Sequence, residues 1–219
     1  MTMSNGADLT SFAIFLVTWI VMMAAMMFPA LIPVVLVYAQ YTRQRARRWP
    51  LLVAIFVAGY LTVWSAVGVC AYVIVALLAP LVVAIPIVQG APQVLLGAVI
   101  GLAGLYQLTP LKQAMLARCR SPFHWLVRGF RPGASGALLL GLDEGVVCLG
   151  CCAGLMIVLL AVGLASVGWM AAIAAVIFGE KVLAPTPALG RVIAVTLISF
   201  GIAVAFVPAV AQLVMGPSM

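Results

Sequence analysis

Residues 134–163 read ASGALLLGLDEGVVCLGCCAGLMIVLLAVG, and their reading decides the fold. A helix crosses a bilayer with about 20 apolar residues, and this run is long enough. Inside it stand two carboxylates, Asp143 and Glu144, and three thiols, Cys148, Cys151 and Cys152. Ionisable groups are costly in lipid and by default mark a site. The run therefore reads both as a span and as a place where chemistry is held. A segment in hydrocarbon must satisfy its backbone hydrogen bonds internally, so the span is a helix.

The rest of the chain has the same texture. Its 219 residues are 67% hydrophobic and 7% charged, with a mean hydropathy of +1.31. A soluble domain carries about a quarter charged residues. The long apolar runs are unlike the alternating pattern of a membrane barrel. Spans are expected at about 11–37, 50–79, 93–109, 134–163, 166–184 and 189–213. The expected fold is all-α, a polytopic membrane bundle of about six transmembrane helices forming a single domain over 1–219. No basic residue precedes the first run, which therefore reads as a retained helix and not a cleaved signal.

The net charge of +7 would point to nucleic acid in a soluble protein. Here its placement argues for topology instead. The eleven basic residues fall between Arg43 and Arg48, between Lys112 and Arg131, and at Lys181 and Arg191. Two expected spans separate each group from the next, so all can lie on the cytoplasmic side, with both termini outside. Nucleic acid is not an expected partner; the lipid bilayer is. The basic segment 111–133 also carries Phe123, Trp125 and Phe130. It reads either as an interfacial segment facing anionic lipid or as a solvated cytoplasmic loop. His124, the one histidine, stands here and reads as a surface residue. Five cysteines, four of them in spans, do not form the framework of a secreted disulfide protein.

Helical periodicity stacks residues four apart. Glu144, Cys148, Cys152 and Met156 form one row, with Cys151 on its flank. Asp143 points about 100° away from Glu144. A second cluster, Met22, Met23, Met26 and Met27, lies near the middle of the first span with Trp19 one turn earlier. Thiolates and thioethers are soft donors, and such a set selects copper(I). Zinc more often recruits histidine or four thiolates. Methionine and buried cysteine also serve as plain packing. Lys181 has two readings: neutralising Asp143 or Glu144, or snorkelling to the interface. Gly97, Gly101, Gly104, Gly141, Gly145, Gly150 and Gly154 are spaced for close helix packing.

Several segments together resemble a known family. They are Ala25-Met-Met-Phe-Pro29-Ala, Tyr106-Gln-Leu-Thr-Pro110-Leu-Lys112, Cys119-Arg-Ser-Pro122, Cys148-Leu-Gly-Cys151-Cys152, Met156, Trp169-Met170 and Glu180-Lys181. They resemble the bacterial "predicted metal-binding integral membrane protein" family. That resemblance implies a multi-pass protein of the bacterial cytoplasmic membrane that handles copper or helps assemble copper proteins. The chain departs from the family pattern where Glu144 replaces a histidine and Ala153 a tryptophan. It departs again at Met115, where a cysteine is common, and near Ala165-Ser166, where an asparagine is. These departures imply either an altered metal preference or a retained fold without metal.

The expected function is soft-metal binding, with copper(I) held by Cys148, Cys151, Cys152 and Met156 with Met22, Met23, Met26, Met27 and Glu144. Its partner would be a membrane metalloenzyme or copper protein. No catalytic or cofactor-binding residue is assigned, and the residues lean away from an enzyme without deciding it. Two alternatives stand beside it: an accessory subunit of a larger membrane oxidase or monooxygenase, and a membrane thiol–disulfide oxidoreductase using Cys148 with Cys151 or Cys152.

Overall fold

The computed structural model describes residues 5–84, 91–120, 131–162, 167–183 and 187–215. Its elements are α1 (Asn5–Arg43), α2 (Trp49–Ala84), α3 (Pro92–Gln107), α4 (Pro110–Cys119), α5 (Gly133–Val162) and α6 (Val167–Phe178). α6 runs into a π-helical turn, Gly179–Leu183, followed by α7 (Pro187–Phe206) and α8 (Pro208–Met215). No strand occurs among the described residues. Among the described residues, four segments are long and apolar enough to cross a membrane: Thr10–Arg43, Trp49–Leu77, Gly133–Val162 and Ala188–Phe206. α3 and α4 meet at 65° and make a fifth if counted together. Large apolar side chains such as Val21, Leu77, Leu102 and Phe206 are exposed along these helices, as lipid-facing surfaces are.

The stretch expected as a fifth span is described as helix over 167–183 only. His124, Phe123, Trp125, Phe130 and the outer-loop residues 86–90 lie outside the described residues. Two prolines act differently from the sequence expectation. The helix continues through Pro80 to Ala84, and the last expected span divides at Val207 ahead of Pro208. Residues 110–119, which open the basic stretch read as either an interfacial segment or a solvated loop, are helix.

The chain forms two compact units, Met1–Ala79 with Ser121–Val146, and Pro80–Arg120 with Val147–Met219. In the first, α2 meets the start of α5 backbone to backbone. A Cβ on Gly59 would lie 2.6 Å from the Leu138 carbonyl oxygen, and one on Gly141 would collide with that of Phe56. Small residues permit such approach. The Trp19 ring fills the notch left by Gly68, and its Nε1 donates to the Trp64 carbonyl at 3.0 Å. Below Trp19, Met23, Met26 and Met27 are buried and Met22 is half-buried.

In the second unit α3 crosses α7 at Gly97 and Gly201, where a Cβ on either would strike the other's carbonyl oxygen. The α3–α4 bend has a local cause. Pro110 restricts the residue before it to extended backbone, and Thr109 adopts φ −67°, ψ 144°. Thr109 then caps α4, its side chain accepting from the Lys112 N–H, while Pro110 takes the first helical turn, where no N–H is needed. Gln113 Nε2 donates to the Gln107 carbonyl at 2.9 Å and ties the two helices across the bend.

Candidate metal centre

The centre lies on α5 within the second unit. Cys151 and Cys152 follow Cys148 by three and four residues, so one helical face carries all three sulfurs. Their Sγ atoms lie within 4.8 Å of one another. Sulfurs bound to one ion at about 2.3 Å stand roughly 4 Å apart, so this triad needs little movement to share an ion. Cys151 Sγ and Cys152 Sγ both donate to the Cys148 carbonyl, at 3.1 and 2.8 Å, which holds them against the helix. All three cysteines are buried, as is Met156 one turn beyond Cys152.

A fourth sulfur joins from another element. Cys119, the last residue of α4, places its Sγ 3.6 Å from that of Cys151. Small residues on α5 admit α3 and α4. A Cβ on Gly150 would lie 3.0 Å from Met115 Cγ, and one on Gly154 3.0 Å from Tyr106 Cδ1. Tyr106 donates its hydroxyl to the Gly150 carbonyl at 2.5 Å, which pins the end of α3 beside the cysteines. The pocket under Tyr106, between Leu102, Ala103 and Ile157, is apolar and offers no metal donor of its own.

The π-helical turn supplies the charges. Glu180 and Lys112 form a buried ion pair, with Nζ 2.6 and 2.7 Å from the two carboxylate oxygens. Arg120 donates from Nε and Nη2 to the Glu180 carbonyl at 2.8 and 2.5 Å. Lys112 opens α4 and Arg120 follows it, so both ends of the helix that carries Cys119 are fastened to one residue. Lys181, next in the turn, donates Nζ to Cys148 Sγ at 2.9 Å. A π-helical turn often accompanies a functional site; here consecutive residues reach two different helices from it.

The sequence expectations divide accordingly. Cys148, Cys151 and Cys152 come together as their spacing predicts. Glu144, which is buried, and Met22, Met23, Met26 and Met27 belong to the first unit. Lys181 meets a thiol, a partner neither of its two expected roles contained. Lys112, grouped by sequence with the topology-setting surface charges, is 1% exposed and paired. The structure adds Cys119, Lys112, Arg120 and Glu180 to the neighbourhood. Cys119 appeared in the sequence only as part of a family-like segment, and nothing in its spacing from Cys151 marks it as a neighbour.

A family model described as PpoB2, a copper chaperone, matches residues 16–204 and takes in every residue of the centre. No curated protein and no solved structure matches the chain.

Proposed function

We propose that this chain, which belongs to the PpoB2 family of copper chaperones, carries copper(I) on its α5 thiols and passes it to a copper protein. The observation that carries the reading is the buried convergence of Cys148, Cys151 and Cys152 Sγ atoms within 4.8 Å. Copper(I) favours soft thiolate and thioether donors over the oxygen ligands of harder ions, and this set has no imidazole. As proposed ligands, the three thiolates bind the cargo. Met156 of the same unit adds a thioether, with Met22, Met23, Met26 and Met27 as further thioether candidates and Glu144 for charge balance. Lys181 Nζ, beside Cys148 Sγ, offsets the negative charge that clustered thiolates build up.

The setting of this function, in our reading, is a single membrane domain of six spans in the bacterial cytoplasmic membrane, with both termini outside. The acceptor would be a membrane metalloenzyme or another copper protein.

The test is anaerobic purification followed by elemental analysis. Wild-type protein is expected to carry about one copper(I) per chain, and Cys148→Ser/Cys151→Ser/Cys152→Ser none, as softness selection requires. Stoichiometric copper on the triple variant rejects this site. A thiol–disulfide reading on a different pair, Cys119 and Cys151 in place of the expected Cys148 with Cys151 or Cys152, has one observation in its favour, the 3.6 Å approach of their Sγ atoms. Bonding would require closure to about 2.05 Å. A redox-dependent Cys119–Cys151 crosslink in protein that binds no metal would favour it.

A further inference from the structure

We infer that Cys119 is the exchange ligand of the centre, the thiol through which copper(I) enters and leaves the buried triad. The inference rests on the copper reading above and assigns a separate task to a residue outside the triad.

Three observations converge on it. The first is exposure: Cys148, Cys151 and Cys152 are 1–2% exposed, whereas Cys119 is half-buried. A donor or acceptor molecule therefore reaches Cys119 more readily than the other three. The second is reach: Cys119 Sγ lies 3.6 Å from Cys151 Sγ, so one ion can touch both during a hand-over. The third is placement. Cys119 ends a short helix whose two ends are held by Glu180, through Lys112 Nζ and through the Arg120 guanidinium. The anchorage costs a buried ion pair, which is weak support for stability in general. Here it fixes the sulfur of α4 against the sulfurs of α5.

Hand-over by ligand exchange needs no change of oxidation state. A thiol-ligated copper(I) complex approaches Cys119. A copper–sulfur bond to Cys119 Sγ forms as one to the donor breaks, and the Cys119 thiol proton passes to the departing donor sulfur. Cys151 then repeats the exchange: its sulfur bonds the ion, the bond to Cys119 breaks, and the Cys151 proton returns to Cys119. Release runs through the same steps in reverse. Cys119 ends each cycle as it began, while the triad keeps the ion.

The experiment compares wild type, Cys119→Ser and Cys151→Ser, loaded anaerobically from a copper(I)–thiol complex and unloaded with a copper(I)-selective chelator. Copper content and the rates of both steps are read. Cys119→Ser is expected to bind as much copper as wild type but to load and unload at least about tenfold more slowly, a modest change in an exchange barrier. Cys151→Ser is expected to lose its copper. Wild-type rates in Cys119→Ser overturn the exchange role and leave the triad standing. Loss of copper from Cys119→Ser also overturns it, making Cys119 a fixed ligand. Copper retained by Cys151→Ser rejects the triad itself.

A second measurement needs no substitution at the centre. Cys70 is exposed, so in a Cys70→Ser background a water-soluble maleimide is expected to add chiefly at Cys119. The alkylated protein should load copper as slowly as Cys119→Ser. Loading at the unmodified rate overturns the proposal.

Discussion

At the residue scale, the contacts around the sulfurs gather at Glu180 and its neighbour Lys181. The Glu180 carboxylate holds Lys112, its carbonyl holds Arg120, and the next side chain, Lys181, reaches Cys148. Removing one member of a buried ion pair strands the other charge and typically costs about 3–5 kcal/mol, whereas replacing both by apolar groups is often neutral. Lys112→Met is therefore expected to lower the thermal midpoint in detergent sharply, and Lys112→Met/Glu180→Met to recover most of the loss. A single variant as stable as wild type would show that the pair does not hold the fold. Tyr106→Phe removes the hydroxyl that bonds the Gly150 carbonyl. A net hydrogen bond contributes about 1 kcal/mol, and a small drop in midpoint is the expected result. None of these pairings is local: Lys112 and Glu180 are 68 residues apart, and Cys119 and Cys151 32. Side-chain chemistry makes Lys112 look like any loop lysine, and only the tertiary fold supplies its acid.

At the element scale, helix geometry carries most of what can be read from sequence. The row of Cys148, Cys151 and Cys152 follows from 3.6 residues per turn and requires no knowledge of neighbours. The break before Pro110 follows from proline's missing N–H and its constraint on Thr109. The helix beyond the break was hidden by its charges, since Lys112 and Arg118 raise its polarity to that of a loop. The glycines separate by contact. A Cβ on Gly97 would strike the Gly201 carbonyl oxygen, while one on Gly101 would meet nothing within 4 Å. Alanine exceeds glycine in helix propensity by about 1 kcal/mol. Gly101→Ala is expected to leave stability unchanged or slightly raised, and Gly97→Ala to lower it by separating α3 from α7. Equal midpoints for the two variants would contradict that crossing.

At the scale of the whole molecule, 7% charged residues over 219 positions leave few ways to stay soluble, and the long unbroken apolar runs then make the helical class legible. Among the described residues four helices of spanning length agree with it, and the bent pair raises the number to five. The proposed orientation rests on the basic clusters, and Arg47, in the exposed turn between α1 and α2, tests it. In a background lacking other reactive thiols, Arg47→Cys is expected to react with a membrane-impermeant maleimide only after cells are opened. Labelling in intact cells would reverse the orientation.

The three-sulfur face of α5 makes the protein a copper carrier in this reading, and X-ray absorption at the copper edge, on protein loaded anaerobically with copper(I), interrogates that face directly. Wild type should show a first shell made of sulfur, and the Cys148→Ser/Cys151→Ser/Cys152→Ser variant should lose both the shell and the metal. A shell of nitrogen or oxygen in wild type, or the same sulfur shell surviving in the triple variant, would contradict it.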